Sequence, residues 1–132
     1  MAEVATSEKT LRGGEFLVRD TRPEEIFIPE EFNEEQRMIR DMVRDFIETH
    51  IFPNMEKIEK QEDNIAAKLL DTVAELGLLG THMPEEYGGM SLDTNTNTLI
   101  CDAMGPSGAF TVSYAAHTGI GMLPILYFGT DK

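Results

Sequence analysis

The residues of this chain that could do chemistry are few, and most stand in patterns that fall short of a site. Asp93-Thr94-Asn95-Thr96-Asn97 places oxygen-bearing side chains at positions 1, 3 and 5, as a calcium loop does. Such a loop needs glycine at position 6 for its turn and glutamate at position 12 for bidentate binding. Thr98 and Met104 stand there instead, so the spacing predicts a capped helix start. His50, His82 and His117 lack metal-ligand spacing, and Cys101 has no cysteine or histidine near it in sequence, so no metal site is expected. Cys101 lies on a helical stretch in apolar surroundings, where a thiol is expected to be buried and inert. Glu85-Glu86, behind Pro84, could do acid–base work but reads as solvated loop charge. Gly88-Gly89 follows neither the dinucleotide nor the P-loop glycine spacing, so no nucleotide or flavin site is expected within the chain.

Two apolar features are more suggestive. Met83, Met90 and Met122 lie near glycines and loops and could line a lipid-like pocket, whereas Met38 and Met42 fall on a helical stripe and read as core. Residues 109–121 form a nearly all-round apolar helical segment with small members: Ala109, Phe110, Val112, Tyr114, Ala115, Ala116. A helix apolar on every side is usually buried. The room that its small residues leave would admit a neighbouring helix or a narrow apolar ligand such as an acyl chain, since ligand pockets are concave and mostly apolar.

Composition sets the outer bounds. The chain has 132 residues, 41 % of them apolar, which suits one globular domain rather than a disordered segment. A net charge of −13 repels phosphate backbones, so nucleic acid is not an expected partner. No run of 18 apolar residues occurs, so no membrane span is expected. A single cysteine excludes an internal disulfide and fits a reducing compartment. The first residues show neither a secretory signal nor an Arg-rich transit peptide, and the cytoplasm is the expected location.

The elements that must position these residues are helical. Residues 1–32 lack helical periodicity, are broken by Gly13-Gly14, Pro23 and Pro29, and read as an extended arm whose first ten residues are mobile. Asn33 with Gln36 makes a capping-box-like helix start. Met38, Ile39, Met42, Val43, Phe46 and Ile47 form one apolar stripe. Pro53 should kink or end this helix, with a shorter piece running to about Lys60. Asn64 can cap the next helix, with Ile65, Leu69, Leu70, Val73 and Leu76 as its stripe and Gly77 as its C′ residue. A loop leads to Asp93, which can cap a weak helix through Met104 with Leu99, Ile100 and Ala103 on its apolar side. Pro106-Ser107-Gly108 breaks the chain before the apolar segment. Gly119 and Gly121 interrupt that segment, and a short helix spans about Met122 to Phe128 with Pro124 in its first turn. Thr130-Asp131-Lys132 reads as a further helix beginning, as if a longer protein continued. No strand alternation or repeat is present. The pattern predicts an all-α domain, an antiparallel bundle of about five or six helices with an extended N-terminal arm.

The ordered motifs resemble the N-terminal domain of the acyl-CoA dehydrogenases. Phe32-Asn33-Glu34-Glu35-Gln36, Val43-Arg44-Asp45-Phe46 and Ile51-Phe52-Pro53 carry the resemblance, followed by Ala74-Glu75-Leu76-Gly77-Leu78-Leu79-Gly80. It is strongest at Met83-Pro84-Glu85-Glu86-Tyr87-Gly88-Gly89-Met90-Ser91-Leu92 and continues through His117 to Gly121 and Pro124-Ile125-Leu126-Tyr127-Phe128-Gly129-Thr130. Residues 30–132 are covered. The start of the chain and Ala116-His117-Thr118-Gly119-Ile120-Gly121 look most like the very-long-chain branch. Around Cys101-Asp102-Ala103-Met104 the sequence departs from the family, which has an acidic pair and a basic residue late in that helix. The departure bears on that helix's outer contacts and not on the fold.

The resemblance implies a three-domain enzyme: residues 33–132 as the N-terminal helical domain, then a β-barrel and a C-terminal helical bundle that together hold FAD. It implies oxidation of a fatty acyl-CoA to a trans-2-enoyl-CoA, with a glutamate base outside this chain and electron-transfer flavoprotein as electron acceptor. A homo-oligomer is implied for the full-length protein. No catalytic or cofactor-binding residue is assigned here, and the chain alone is expected to be colourless and inactive. Alignment on Gly121 and Pro124 implies that Val112, Ala116, His117 and Ile120 form one wall of the acyl pocket. A competing expectation is a stand-alone helical interaction module that shares only the fold.

Overall fold

The computed structural model describes Leu11 and residues 13–130, all of them helical or irregular, with no strand among the described residues. The expectations for the first ten residues, and for a helix beginning at Asp131-Lys132, lie outside the described residues. The chain divides into two compact units, residues 1–34 and 35–132. In the first, 3-10 turns at Glu15–Leu17, Pro23–Glu25 and Pro29–Glu31 punctuate extended backbone. Phe27 and Phe32 meet edge to face there at 5.1 Å.

The bundle begins with α1 (Glu34–Phe46), which runs through a π turn (Ile47–Ile51) and a 3-10 turn (Phe52–Asn54) into α2 (Met55–Glu59). α3 (Ile65–Glu75) and α4 (Thr94–Met104) stand apart from their neighbours. α5 (Ala109–Ala115) continues through a second π turn (Ala116–Gly121) into α6 (Met122–Phe128), making one rod from Ala109 to Phe128. The expected five or six helices are therefore four rods. The expected interruptions at Pro53 and at Gly119 and Gly121 are bridged. A proline ring strikes the carbonyl four residues back. For Pro53 and Pro124 those carbonyls belong to Thr49 and Ile120, and each lies inside a π turn, where the wider backbone takes up the clash.

The core gathers one stripe from each rod: Val43, Phe46, Ile47 and Ile51; Leu69 and Val73; Ile100, Ala103 and Met104; Phe110 and Tyr114. At 100° per residue Met38 points well away from the Val43–Phe46 direction, and it is 67 % exposed, so it is not the core residue its place on the stripe suggested. Met42 does pack against the core. Cys101 is exposed, contrary to expectation, because Ile100, Ala103 and Met104 take the inward face of α4. Partial burial of its sulfur still raises the thiol above the ordinary range. Asn64 precedes α3 as expected, but it does so in left-handed backbone, with no side-chain capping bond.

Asp93 caps α4. One carboxylate oxygen accepts from the Asn95 N–H at 2.8 Å and the Thr96 N–H at 3.0 Å, and the other accepts from the Thr96 hydroxyl. Both oxygens thus serve the helix start rather than a cation. Burial alone would raise the Asp93 carboxyl, but the Thr96 and Asn95 hydrogen bonds outweigh it and hold the group below its usual range. A depressed folded pKa stabilises above the unfolded value and is lost as pH falls through the folded one. Asp93→Ala is expected to cost about 1 kcal/mol at neutral pH. The difference between variant and parent should shrink below about pH 4, where an unfolded aspartate itself protonates. Urea denaturation at pH 7 and pH 3 measures both.

Candidate functional site

The rod from Ala109 to Phe128 holds all four residues expected on the pocket wall. Its N-terminus is seated on α2. Gly108 adopts φ 60°, ψ −132°, and a Cβ there would lie 3.1 Å from both Glu59 Oε1 and Met55 Sδ. The Ala109 N–H donates to Glu59 Oε1 at 3.3 Å. Next to this junction the Ser107 and Thr111 hydroxyls both donate to the Met104 carbonyl, at 2.7 and 2.9 Å.

Three residues, at i, i+4 and i+8, turn the rod's inner side to the bundle. Phe110 is fully buried and lies 5.9 Å from the Phe46 ring. The Tyr114 hydroxyl donates to the Leu78 carbonyl at 2.9 Å, and Thr118 donates to the Tyr114 carbonyl at 3.0 Å. Burial pushes Tyr114 up to about 12; nearby Cys101 adds to the rise, and a hydrogen bond with Thr81 opposes it.

Val112 lies two residues, or about 200°, from Phe110 on a helix and therefore faces away from the bundle. The same offset relates Ala116 to Tyr114 and Ile120 to Thr118. Val112, Ala116, His117 and Ile120 are all exposed, with Val112 at 71 % and Ile120 at 81 %. The offsets place Val112, Ala116 and Ile120 on the outer side of the rod, and His117, one residue on from Ala116, is exposed beside them. The structure corrects the expectation that residues 109–121 are buried all round, because within this chain only Phe110, Tyr114 and Thr118 turn inward. By length and composition alone this rod could cross a membrane. The expectation from unbroken apolar runs missed it because serine, threonine, glycine and histidine interrupt the run without adding charge.

Further along, Ile125, Leu126, Gly129 and Thr130 face Met83 and Tyr87 across a cleft of about 150 Å³. Of the three loop methionines expected to line a pocket, only Met83 borders it. Met90 instead lies against Gly77. Ligand pockets usually enclose about 300–1,000 Å³, so this cleft alone does not hold a fatty acyl chain. The loop that carries Met83 is tied by backbone hydrogen bonds: Met90 to Gly80 at 3.0 Å, Ser91 to Met83 at 2.9 Å and Leu92 to Thr81 at 2.9 Å. A Cβ on Gly89 would fall 2.1 Å from the Met83 carbonyl oxygen. The space at Gly89 is thus filled by the chain itself, while Gly88 turns the backbone at φ 78° in open space, so the pair makes a tight turn rather than a phosphate cradle. Glu85 and Glu86 lie exposed in the same loop. Sequence reasoning missed the inward trio, although the i, i+4 spacing of Phe110 and Tyr114 was visible.

Residues 33–132 match the sequence profile of the acyl-CoA dehydrogenase N-terminal domain. A probable acyl-CoA dehydrogenase of Bacillus subtilis is 40 % identical over 121 residues, 92 % of this chain and 20 % of that protein. A second, the probable acyl-CoA dehydrogenase YngJ of the same organism, is 38 % identical over 103 residues, 77 % of this chain and 27 % of that protein. The crystal structure of an acyl-CoA dehydrogenase from Bacillus anthracis, complexed with FAD, superposes with a TM-score of 0.84 at 41 % identity, covering 90 % of this chain and 21 % of that one. The chain spans about a fifth to a quarter of the length of the relatives it matches. Matched lengths and shares also imply two size classes. Relatives that match 115 residues or more are about 550–600 residues long. Those that match 100–103 are about 380–420. The helical rods, the tight Gly88-Gly89 turn and the profile across residues 33–132 agree, and this chain belongs to the acyl-CoA dehydrogenase family as its N-terminal helical domain.

Proposed function

We propose that this chain is the part of an FAD-dependent acyl-CoA dehydrogenase that forms one wall of the acyl pocket, with Val112, Ala116, His117 and Ile120 bordering the substrate. The supporting observation is the two-sided rod. Its inner side is anchored by Phe110 and Tyr114, while its outer side offers an uncharged, mostly apolar strip with a small residue, Ala116, near its middle. Apolar surface of this extent calls for a cover, and the remaining domains of the same polypeptide supply it together with the acyl chain, in place of a lipid bilayer. The full-length protein converts a fatty acyl-CoA to the trans-2-enoyl-CoA, and FAD, when bound, supplies the oxidant.

The Gly88-Gly89 turn offers FAD no phosphate cradle, since the Met83 carbonyl fills the space at Gly89. In this reading the flavin and the base belong to the rest of the polypeptide. The wall residues exclude water from the acyl chain and limit its reach. The resemblance of residues 116–121 to the very-long-chain branch supports long acyl substrates. Electron-transfer flavoprotein as acceptor, a homo-oligomeric full-length enzyme and a cytoplasmic location complete the reading.

In the full-length enzyme, Ala116→Phe is expected to lower kcat/KM for long acyl chains about ten-fold more than for short ones, since a methylene's worth of pocket shape corresponds to about 10–200-fold. Steady-state kinetics over a series of acyl-CoA lengths measures this. An equal loss at every length would remove Ala116 from the wall.

A further inference from the structure

The N-terminal unit displays an apolar patch that its own fold does not cover. Phe16, Leu17 and Val18 are 49, 75 and 85 % exposed. They belong to a braced turn. The Leu17 N–H donates to Gly14 at 2.9 Å, and Arg19 reaches Glu15 at 3.4 Å and Glu25 at 3.0 Å. The Glu25 carboxylate accepts from the Arg22 N–H at 2.8 Å, and the Leu11 N–H donates to the Glu25 carbonyl at 3.1 Å. Bonds within the unit thus hold three consecutive apolar residues outward.

The relatives indicate what covers them. The family profile occupies residues 33–132, so a match of 115 residues or more takes in at least part of the N-terminal unit. The relatives with such matches are the proteins of about 550–600 residues. Those whose match is no longer than the domain by more than a few residues are the proteins of about 380–420. The size difference far exceeds the N-terminal unit itself, so that unit occurs together with a further portion of protein. A patch serving the portion common to all members, or a second copy of this domain, would have a use in the shorter relatives too.

We infer that the Phe16-Leu17-Val18 turn docks onto the additional portion of its own polypeptide that the longer relatives carry and the shorter ones lack. The inference rests on the reading of this chain as part of such a dehydrogenase and requires the full-length polypeptide to belong to the longer class.

The test is a photo-cross-link in the full-length protein, with p-benzoylphenylalanine in place of Leu17 and the joined peptides identified by mass spectrometry. The expected result is an intramolecular link to the additional portion. A link to residues 35–132, to the portion shared with the shorter relatives or to a second copy would overturn the inference. So would the absence of any link, or a full-length product of about 400 residues. Leu17→Asp is expected to speed limited proteolysis of the additional portion several-fold, and an unchanged rate would count against docking. Neither readout uses dehydrogenase activity. An inactive protein that gives the expected link would refute the proposed function and leave the docking standing.

Discussion

Phe110→Ala is expected to destabilise the chain by about 3–5 kcal/mol, as aromatic truncation in a close-packed core does. Phe110 is fully buried, stands beside Phe46 and begins the inward trio that holds the Ala109–Phe128 rod to the bundle. Met104 and Val73, in the same core cluster, are themselves fully buried. A domain is usually stable by only about 5–15 kcal/mol, so the variant should unfold at much lower urea. Phe128→Ala, on the same rod but 86 % exposed, should change stability by less than about 0.5 kcal/mol. Circular dichroism during urea titration distinguishes the two. Similar midpoints for both variants would mean that the rod does not turn the side assigned here toward the core.

Gly89→Ala is the second large effect, at about 3 kcal/mol or more, beyond ordinary overpacking. The added methyl would sit 2.1 Å from the Met83 carbonyl oxygen and 2.4 Å from the Met83 Cβ. Neither is the far end of a flexible side chain, so the backbone must move. That movement breaks the hydrogen bond from Ser91 to Met83. Gly119→Ala is the contrasting case. Its Cβ would meet nothing within 4 Å on helical backbone, and replacing a helical glycine by alanine gains about 0.5–1 kcal/mol. Thermal melts should therefore shift in opposite directions for the two variants. A Gly89→Ala protein as stable as its parent would show that the turn has slack that the close approach of Met83 to Gly89 excludes.

Much of this was legible in the residues. The stripes of α1, α3 and α4 follow from 3.6-residue periodicity, which is a property of one helix and needs no partner to be seen. The Asp93 cap was legible for the same reason, since an N-cap bonds within its own first turn. The motif around Met83–Leu92 and the pieces from His117 to Thr130 were enough to point to the family. Of the residues that the resemblance placed on the pocket wall, Val112, Ala116, His117 and Ile120, all four are exposed within this chain. Their role toward substrate is still to be measured.

Other features depended on distant neighbours. Whether Pro53 and the glycines near Pro124 end a helix turns on the backbone one turn upstream. A π turn there keeps the rod whole, and no local propensity announces it. Gln36 looked like half of a capping box, but its amide also donates to the Thr96 hydroxyl at 2.8 Å across 60 residues. Met38 looked like core by its place on the stripe and Cys101 by its apolar surroundings, and both proved exposed, because the inward direction of a helix is set by what it packs against. The apolar composition of residues 109–121 determined that the segment would seek burial on every side. Only the tertiary structure decided which side the bundle takes and which is left for the rest of the polypeptide, since a rod packed against a bundle turns one side inward, here the side of Phe110, Tyr114 and Thr118.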